Sequence, residues 1–342
     1  MTVNKEQQLR SGLPLIRLSL ATPFTFELDR REIDVDGILE KFNLSRDNLH
    51  SPDVFVTAPV MYKILEEFSE SADDPYLAVY VGETLDIYSW PVFTNAARHA
   101  STFSDFFFRF SKEAGNQATS VKMRLDTDGE YATFRAYRVF DPETCPAQAD
   151  AFYVGLFSSI FQRCAGDQWD PQQVRIQTCD TRAIPNDYQN VIVTRGDRRG
   201  CAIRFPQDWL LLPFDLKNFK QRVIPEVNYL SPPKSLVEAV HQALLPHIHQ
   251  PELNNDMASE LCGFDARALG RKLKNKGTTI GREIANLRKE QAIKLLIESD
   301  RTISDIASSV GFNDPSVFTR SFRRWVGMSP SDYRKRICQS ST

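Results

Sequence analysis

Arginines and lysines recur at helical spacing near the end of the chain, and the chemistry open to them is the reading of a polyanion. In residues 302 to 336, TISDIASSVGFNDPSVFTRSFRRWVGMSPSDYRKR, Ile303, Ile306, Ala307 and Val310 fall at i, i+3, i+4 and i+7. That is the apolar stripe of a short helix, with Thr302 as its cap. Gly311 ends it, and Asp314 with Pro315 opens a second helix whose buried face is Phe318, Phe322 and Trp325. Ser316, Val317, Thr319 and Arg320 are left outward as candidates for contact with base edges, Arg320 by bidentate pairing with guanine. Arg323 and Arg324 are candidates for phosphate. Ser329 and Pro330 begin a third helix carrying Arg334, a further phosphate candidate beside a helix N-terminus. The competing reading is an amphipathic hairpin with a solvated basic face, in which Arg320 is spent on an ion pair with Asp305.

Two helices joined by a glycine turn form a helix-turn-helix, and a second such unit is legible upstream. Asn255 can cap a helix running to Cys262, Gly263 turns the chain, and Asp265 caps ARALGRKLKNKG with Leu269 and Leu273 buried. Arg267, Gly270 and Arg271 then face outward as base candidates, and Lys272 and Lys274 as phosphate candidates. Between the units runs TIGREIANLRKEQAIKLLIES, whose apolar periodicity predicts one helix of about eighteen residues and roughly 27 Å. Such a rod can hold two reading helices near the ~34 Å repeat of successive major grooves on double-stranded DNA.

The run GFNDPSVFTRSFRRWVGMSPSDYRKR resembles the C-terminal signature of AraC/XylS-type transcriptional regulators. The resemblance implies an all-α domain of about seven helices with two helix-turn-helix units, at about 255–275 and 302–326. It also implies a homodimer, activation rather than repression, and contact with RNA polymerase. Gly270 is a departure, because members often carry a larger polar residue there. DPYLAVYVGETL and CAIRFPQDWLLLP resemble the arabinose-binding-like sensor and dimerisation domain of one branch of the family, over roughly residues 20 to 215. Nothing there reads as a sugar site, so the effector is an unknown small molecule.

Charge supports the division. Residues 234 to 336 hold 17 Lys plus Arg against 12 Asp plus Glu, or +5, and the remainder 25 against 32, or −7. No GxxxxGK, GxSxG or HExxH motif occurs, and the five histidines do not fall at ligand spacing, so neither an enzyme nor a metal or other cofactor is expected. A haem or thiol sensor using His99 or Cys164 is the alternative regulator. Six cysteines without a CxxC pair indicate neither zinc nor a disulfide framework, and the lack of an apolar leader or span points to the cytoplasm and away from membranes.

The N-terminal part reads as α+β, helices on a mainly antiparallel sheet. Expected are an arm over 1–25, a sensing and dimerisation domain over 26–224, a proline-marked linker over 225–233 including Pro225, and the DNA-binding domain over 234–337. Helices are predicted from Ile33, over Pro59–Ser69, Pro75–Leu85, Thr102–Ala114 and Ala147–Cys164. Asp128-Gly129 signals a hairpin, and strands are predicted at Val174–Thr178 and Cys201–Phe205. The segment 13–31 is expected to pack on a neighbouring surface or subunit. Phe103, Phe106, Phe107, Phe108 and Phe110 span too wide an arc for one core and predict burial on several sides of their helix. Phe103, Phe106, Phe107 and Phe110, with Arg135, Tyr137 and Tyr153, are therefore candidate walls of a ligand pocket, against simple core packing or a dimer interface.

Overall fold

A computed structural model describes residues 12–86, 90–214 and 231–340, and the chain divides into two units, Met1–Pro232 and Pro233–Thr342. The expected arm lies outside the described residues up to residue 11, and the expected linker, with Pro225, from 225 to 230.

The first unit begins with a strand, Leu15–Arg17 (β1). Three short helices follow, α1 (Thr22–Arg30), α2 (Val35–Glu40) and α3 (Arg46–His50), and then Phe55–Thr57 (β2) pairs antiparallel with β1, Ile16 opposite Val56. Segment 13–31 thus packs on a neighbouring surface of its own unit, one of the two expected placements. Arg17 is fully buried there, with Nε donating to Gln117 Oε1 at 2.6 Å and its guanidinium 4.4 Å from the Phe55 ring centroid.

Four helices come next: α4 (Ala58–Ser71), α5 (Leu77–Thr84), α6 (Pro91–Ala97) and α7 (Phe103–Gly115). Thr102 caps α7 by accepting from the Asp105 amide at 3.3 Å. Phe103, Phe106, Phe107 and Phe110 are all buried and pack against Phe134, Phe157, Phe161 and Phe214, whereas Phe108 is 74% exposed. Within the single chain the helix is buried on one side only. The four buried rings recur at i, i+3, i+4 and i+7, a single stripe, and Phe108 is the one outside it.

Strands β3 (Val121–Thr127) and β4 (Tyr131–Arg138) form the hairpin, Asp128 Oδ1 accepting from the amides of Glu130 and Tyr131 at 3.1 and 2.7 Å. Helix α8 (Ala147–Ala165) precedes β5 (Arg175–Thr178), β6 (Ile192–Arg195) and β7 (Gly200–Pro206). The sheet order is β3-β4-β7-β5-β6, antiparallel except for β5 with β6. Alternation along β4 sends Ala132, Phe134, Ala136 and Arg138 to the buried face and Arg135 and Tyr137 to the other.

Helices α5 and α8 meet backbone to backbone. A Cβ on Gly82 would stand 2.4 Å from Phe152 O, and one on Gly155 2.2 Å from Val79 O, so no larger residue fits either position without parting the helices.

The cysteines correct another expectation. Cys145, just before α8, and Cys179, just after β5, are bonded as a disulfide with Cα atoms 6.2 Å apart. They stand 34 positions apart in sequence, so the pairing is made by the fold and leaves no spacing signal.

The second unit is helical throughout its described elements: α9 (Leu236–Leu244), α10 (Asn255–Leu261), α11 (Ala266–Lys274), α12 (Ile280–Glu298), α13 (Ile303–Ser309), α14 (Pro315–Val326) and α15 (Pro330–Ser340).

Candidate DNA interface and internal cavity

Each turn of the second unit is fixed by a side-chain cap. Asn254, one residue before the expected position, accepts from the amides of Asp256 and Met257 and starts α10. Asp265 accepts from Ala268 N at 2.8 Å and starts α11. Thr302 and Asp305 form a reciprocal capping box on α13, and Asp314 accepts from Ser316 N at 2.7 Å with Pro315 at the first position of α14. Each such cap is worth about 1 kcal/mol. Gly311, at φ +78°, turns α13 into α14, and a Cβ there would meet Ile248 O at 2.6 Å.

Behind α14, Phe318 and Phe322 pack with Ile306, Ala307, Val310, Ala292 and Leu296 into one core, which Phe312, Trp325 and Tyr333 cover. Behind α11, Leu269 and Leu273 are fully buried. This burial decides what faces out. Arg267, Arg271, Lys272 and Lys274 are exposed on α11, and Gly270 is half-buried with open space where a side chain would stand. On α14, Ser316, Val317, Arg320, Arg323 and Arg324 are exposed, and Thr319 is half-buried with its hydroxyl donating to Pro315 O at 2.8 Å.

Two candidates have neighbours that the spacing did not show. Lys272 Nζ lies 5.1 Å from the Phe264 ring centroid. Arg334 is half-buried and its Nε donates to Leu296 O, 3.4 Å away at the end of α12, so it braces α15 on α12. Asp305 is turned to its own helix terminus, accepting from Thr302 N at 3.2 Å and Oγ1 at 2.7 Å, and among the described residues no ion pair joins it to Arg320. Asp314 is the carboxylate near Arg320, and its pKa is lowered first by the Ser316 amide and least by the Arg320 charge.

Helix α12 packs against α9, α10, α11, α13 and α15. Its 19 residues span roughly 28 Å. Two polar clusters fasten it. Glu283 is buried, accepts from Thr278 Oγ1 and stands 2.8 Å from His241 Nε2 on α9. Arg288 donates from an NH2 nitrogen to Gln250 O at 2.9 Å and lies over the Phe312 ring. Sequence reasoning missed both, because a charged residue inside a long amphipathic helix reads as surface.

In the first unit, a partly open cavity of about 70 Å3 lies between β1, α1, α4, the start of β3, β4 and α8. Ile16, Phe24, Met61, Leu65, Ala136 and Phe152 give it apolar walls, and Tyr62, Trp90, Ser120, Arg138, Asp150 and Tyr153 its polar groups. Of the seven pocket residues named from the sequence, Tyr153 lines this cavity. Phe103, Phe106, Phe107 and Phe110 belong to the aromatic core, and Arg135 and Tyr137 lie on the opposite face of β4.

Arg138 and Asp150 form a buried ion pair at 2.5 Å. Arg138 Nε also donates to Tyr62 OH at 3.0 Å, and Asp150 Oδ2 accepts from the Cys179 amide at 3.1 Å. Burial works against the charge on Arg138, but the Asp150 carboxylate outweighs it and holds the guanidinium pKa above its ordinary value. Burial raises the pKa of Tyr62 and Tyr153, so both keep their phenolic protons at neutral pH.

Among the described residues no group of three or more His, Cys, Asp and Glu is placed to hold a metal ion. His99 is exposed in the turn after α6, and Cys164 is half-buried on α8.

Paired helix-turn-helix units on one shared helix, preceded by an α+β unit with a cavity, define a regulator of AraC type. Residues 33–216 match the family described as the N-terminal arabinose-binding domain of AraC transcription regulator, and residues 258–336 match a helix-turn-helix domain. The first match alone takes in more than half of the chain, which belongs to the AraC/XylS family of transcriptional regulators. Among its relatives are the ornithine utilization regulator of Pseudomonas aeruginosa, 42% identical over 69 residues, covering 20% of each chain. The transcriptional activator RhaS of Yersinia pestis is 38% identical over 91 residues, 26% of this chain and 32% of that one. These matches thus span about a fifth to a third of the curated relatives. The crystal structure of CdpR from Pseudomonas aeruginosa aligns over 93% of this chain and 98% of that one, at 15% identity and a TM-score of 0.39.

Proposed function

We propose that this chain is a sequence-specific, ligand-responsive transcription activator, and that each monomer reads two successive major grooves of double-stranded DNA. The observation that carries the reading is the pair of exposed basic faces on α11 and α14, α11 packed on α12 and α14 sharing a core with Ala292 and Leu296 of α12. Arg271 and Arg320 are the leading base-reading groups. Arg267, Gly270, Ser316, Val317 and Thr319 stand on the same two helices as further contacts. Lys272, Lys274, Arg323 and Arg324 supply phosphate contacts, which fix register without reading sequence. Arg334 positions α15 and takes at most a secondary part.

The first unit, in this reading, senses a small molecule in its cavity and holds a homodimer. RNA polymerase is the partner through which activation proceeds, the site of action is the cytoplasm, and no catalytic step is involved. No described helix is long and apolar enough to cross a membrane.

The test is selection of bound duplexes from a random pool with the purified full chain. Two blocks of specified bases about ten base pairs apart, repeated when two chains bind, are expected. A single block, or no enrichment, would overturn the proposal.

A further inference from the structure

Trp90 and Ser120 line the cavity of the first unit, and each carries a buried polar atom that bonds to nothing described. Trp90 is 4% exposed and Ser120 fully buried, and neither the indole Nε1 nor the hydroxyl has a hydrogen-bond partner among the described residues. Both line the same space. An indole N–H can only donate, so its partner must carry an acceptor. Tyr62 adds to this demand: its oxygen already accepts from Arg138, which leaves its proton to give.

The charges around the space cancel. Arg138 and Asp150 are spent on one another, and Asp150 is further engaged by Thr178 and the Cys179 amide. An ion entering such a site would lose its hydration and find no unpaired counter-charge. The remaining wall, with Ile16, Phe24, Met61 and Leu65, is apolar. The available space suits roughly five to seven water-sized groups.

We propose that this cavity is a binding site for a small uncharged molecule of about that size, with an oxygen acceptor of the carbonyl or hydroxyl type held by Trp90 and Ser120. Its apolar body lies against Phe24, Met61 and Leu65. The proposal rests on reading the first unit as a sensor and names what that sensor takes.

Cyclohexanone is the probe, titrated calorimetrically into the full chain. Methylcyclohexane, cyclohexylammonium and cyclopentanecarboxylate serve as comparisons of similar size. One saturable site per chain is expected for cyclohexanone, with each comparison at least about tenfold weaker, since an analogue lacking the bonding group leaves buried donors unmet. Trp90→Phe and Ser120→Ala should each weaken cyclohexanone about fivefold to tenfold, the range that one hydrogen bond commands. Should Trp90→Phe fail to fold, Ser120→Ala decides alone. The proposal is overturned if no saturable cyclohexanone site exists, if a charged or wholly apolar comparison binds as tightly, or if the folded variants bind cyclohexanone as the native chain does. DNA affinity is measured on the same samples. Sequence-specific DNA binding without a cyclohexanone site removes the ligand class and leaves the DNA-reading function standing, and a cyclohexanone site in a chain that ignores DNA sequence does the reverse.

Discussion

Arg288 lies over the ring of Phe312, its guanidinium carbon 5.4 Å from the centroid, while an NH2 nitrogen of the same group donates to Gln250 O at 2.9 Å. Gln250 belongs to the segment between α9 and α10, and Phe312 to the turn between α13 and α14. One side chain on α12 therefore touches both halves of the helix-turn-helix unit. Burial lowers its pKa, and a guanidinium stays charged in proteins. Loss of a charged hydrogen bond and a cation–π contact together should cost about 2 to 4 kcal/mol. Arg288→Ala is expected to lower urea stability by that amount, with Arg288→Lys recovering little. A stability within ~0.5 kcal/mol of the native chain would show that Arg288 does not brace the unit.

Base reading and phosphate contact separate by mutation. Arg271→Ala and Arg320→Ala should each cost about 1 to 3 kcal/mol at the cognate site and relax one base position, whereas Lys272→Ala should weaken all sequences alike. Competition binding against a library of single-base variants reads the difference. A uniform loss in all three variants would remove the groove assignment.

His247 predicts a pH dependence. It is buried, and burial first, then the neighbouring His249 charge, push its pKa from 6.5 down to about 4. Between those values the unfolded chain binds a proton that the folded chain does not. The stability contributed is therefore complete above about pH 6.5 and is lost as pH falls towards about 4. At about 1.4 kcal/mol per pH unit, the drop from pH 6.5 to 4.5 is about 2 to 3 kcal/mol. Urea midpoints over this window should fall for the native chain and fall less for His247→Leu. Equal slopes for the two proteins would mean that His247 is not the group responsible.

The helix-turn-helix unit was legible because its information is local. A cap, an apolar stripe and a glycine turn lie within about a dozen residues each, as at Thr302, Ile306 and Gly311, and the structure realises them. Most helices and the Asp128-Gly129 hairpin of the first unit were legible for the same reason. What was not legible is what the tertiary fold assembles. Strands β1 and β2 are three residues each, too short for a period of two to register. The cavity draws Ile16, Trp90, Ser120 and Asp150 from four separate stretches, and no spacing links them. The run of five phenylalanines was visible, but density of aromatic residues says core, and the cavity formed where smaller groups such as Ala118 and Ala136 leave room.

Ala136 gives a direct handle on that room. Its side chain lines the cavity from β4, so Ala136→Phe fills the space from the sheet side. Transcription from the bound promoter should no longer respond to the growth condition that activates the native chain, while gel-shift affinity and the mass of the particle in solution stay unchanged. Normal induction would remove the cavity from the account of control. Loss of dimer mass would assign Ala136 to the subunit interface instead.

The account turns on one monomer reading two grooves, and hydroxyl-radical footprinting of the full chain on its selected duplex tests this directly. Two protected patches per monomer, about ten base pairs apart on one face of the helix, are predicted, with Arg271→Ala weakening one patch first and Arg320→Ala the other. A single patch per monomer, or loss of both patches together from either substitution, would contradict it.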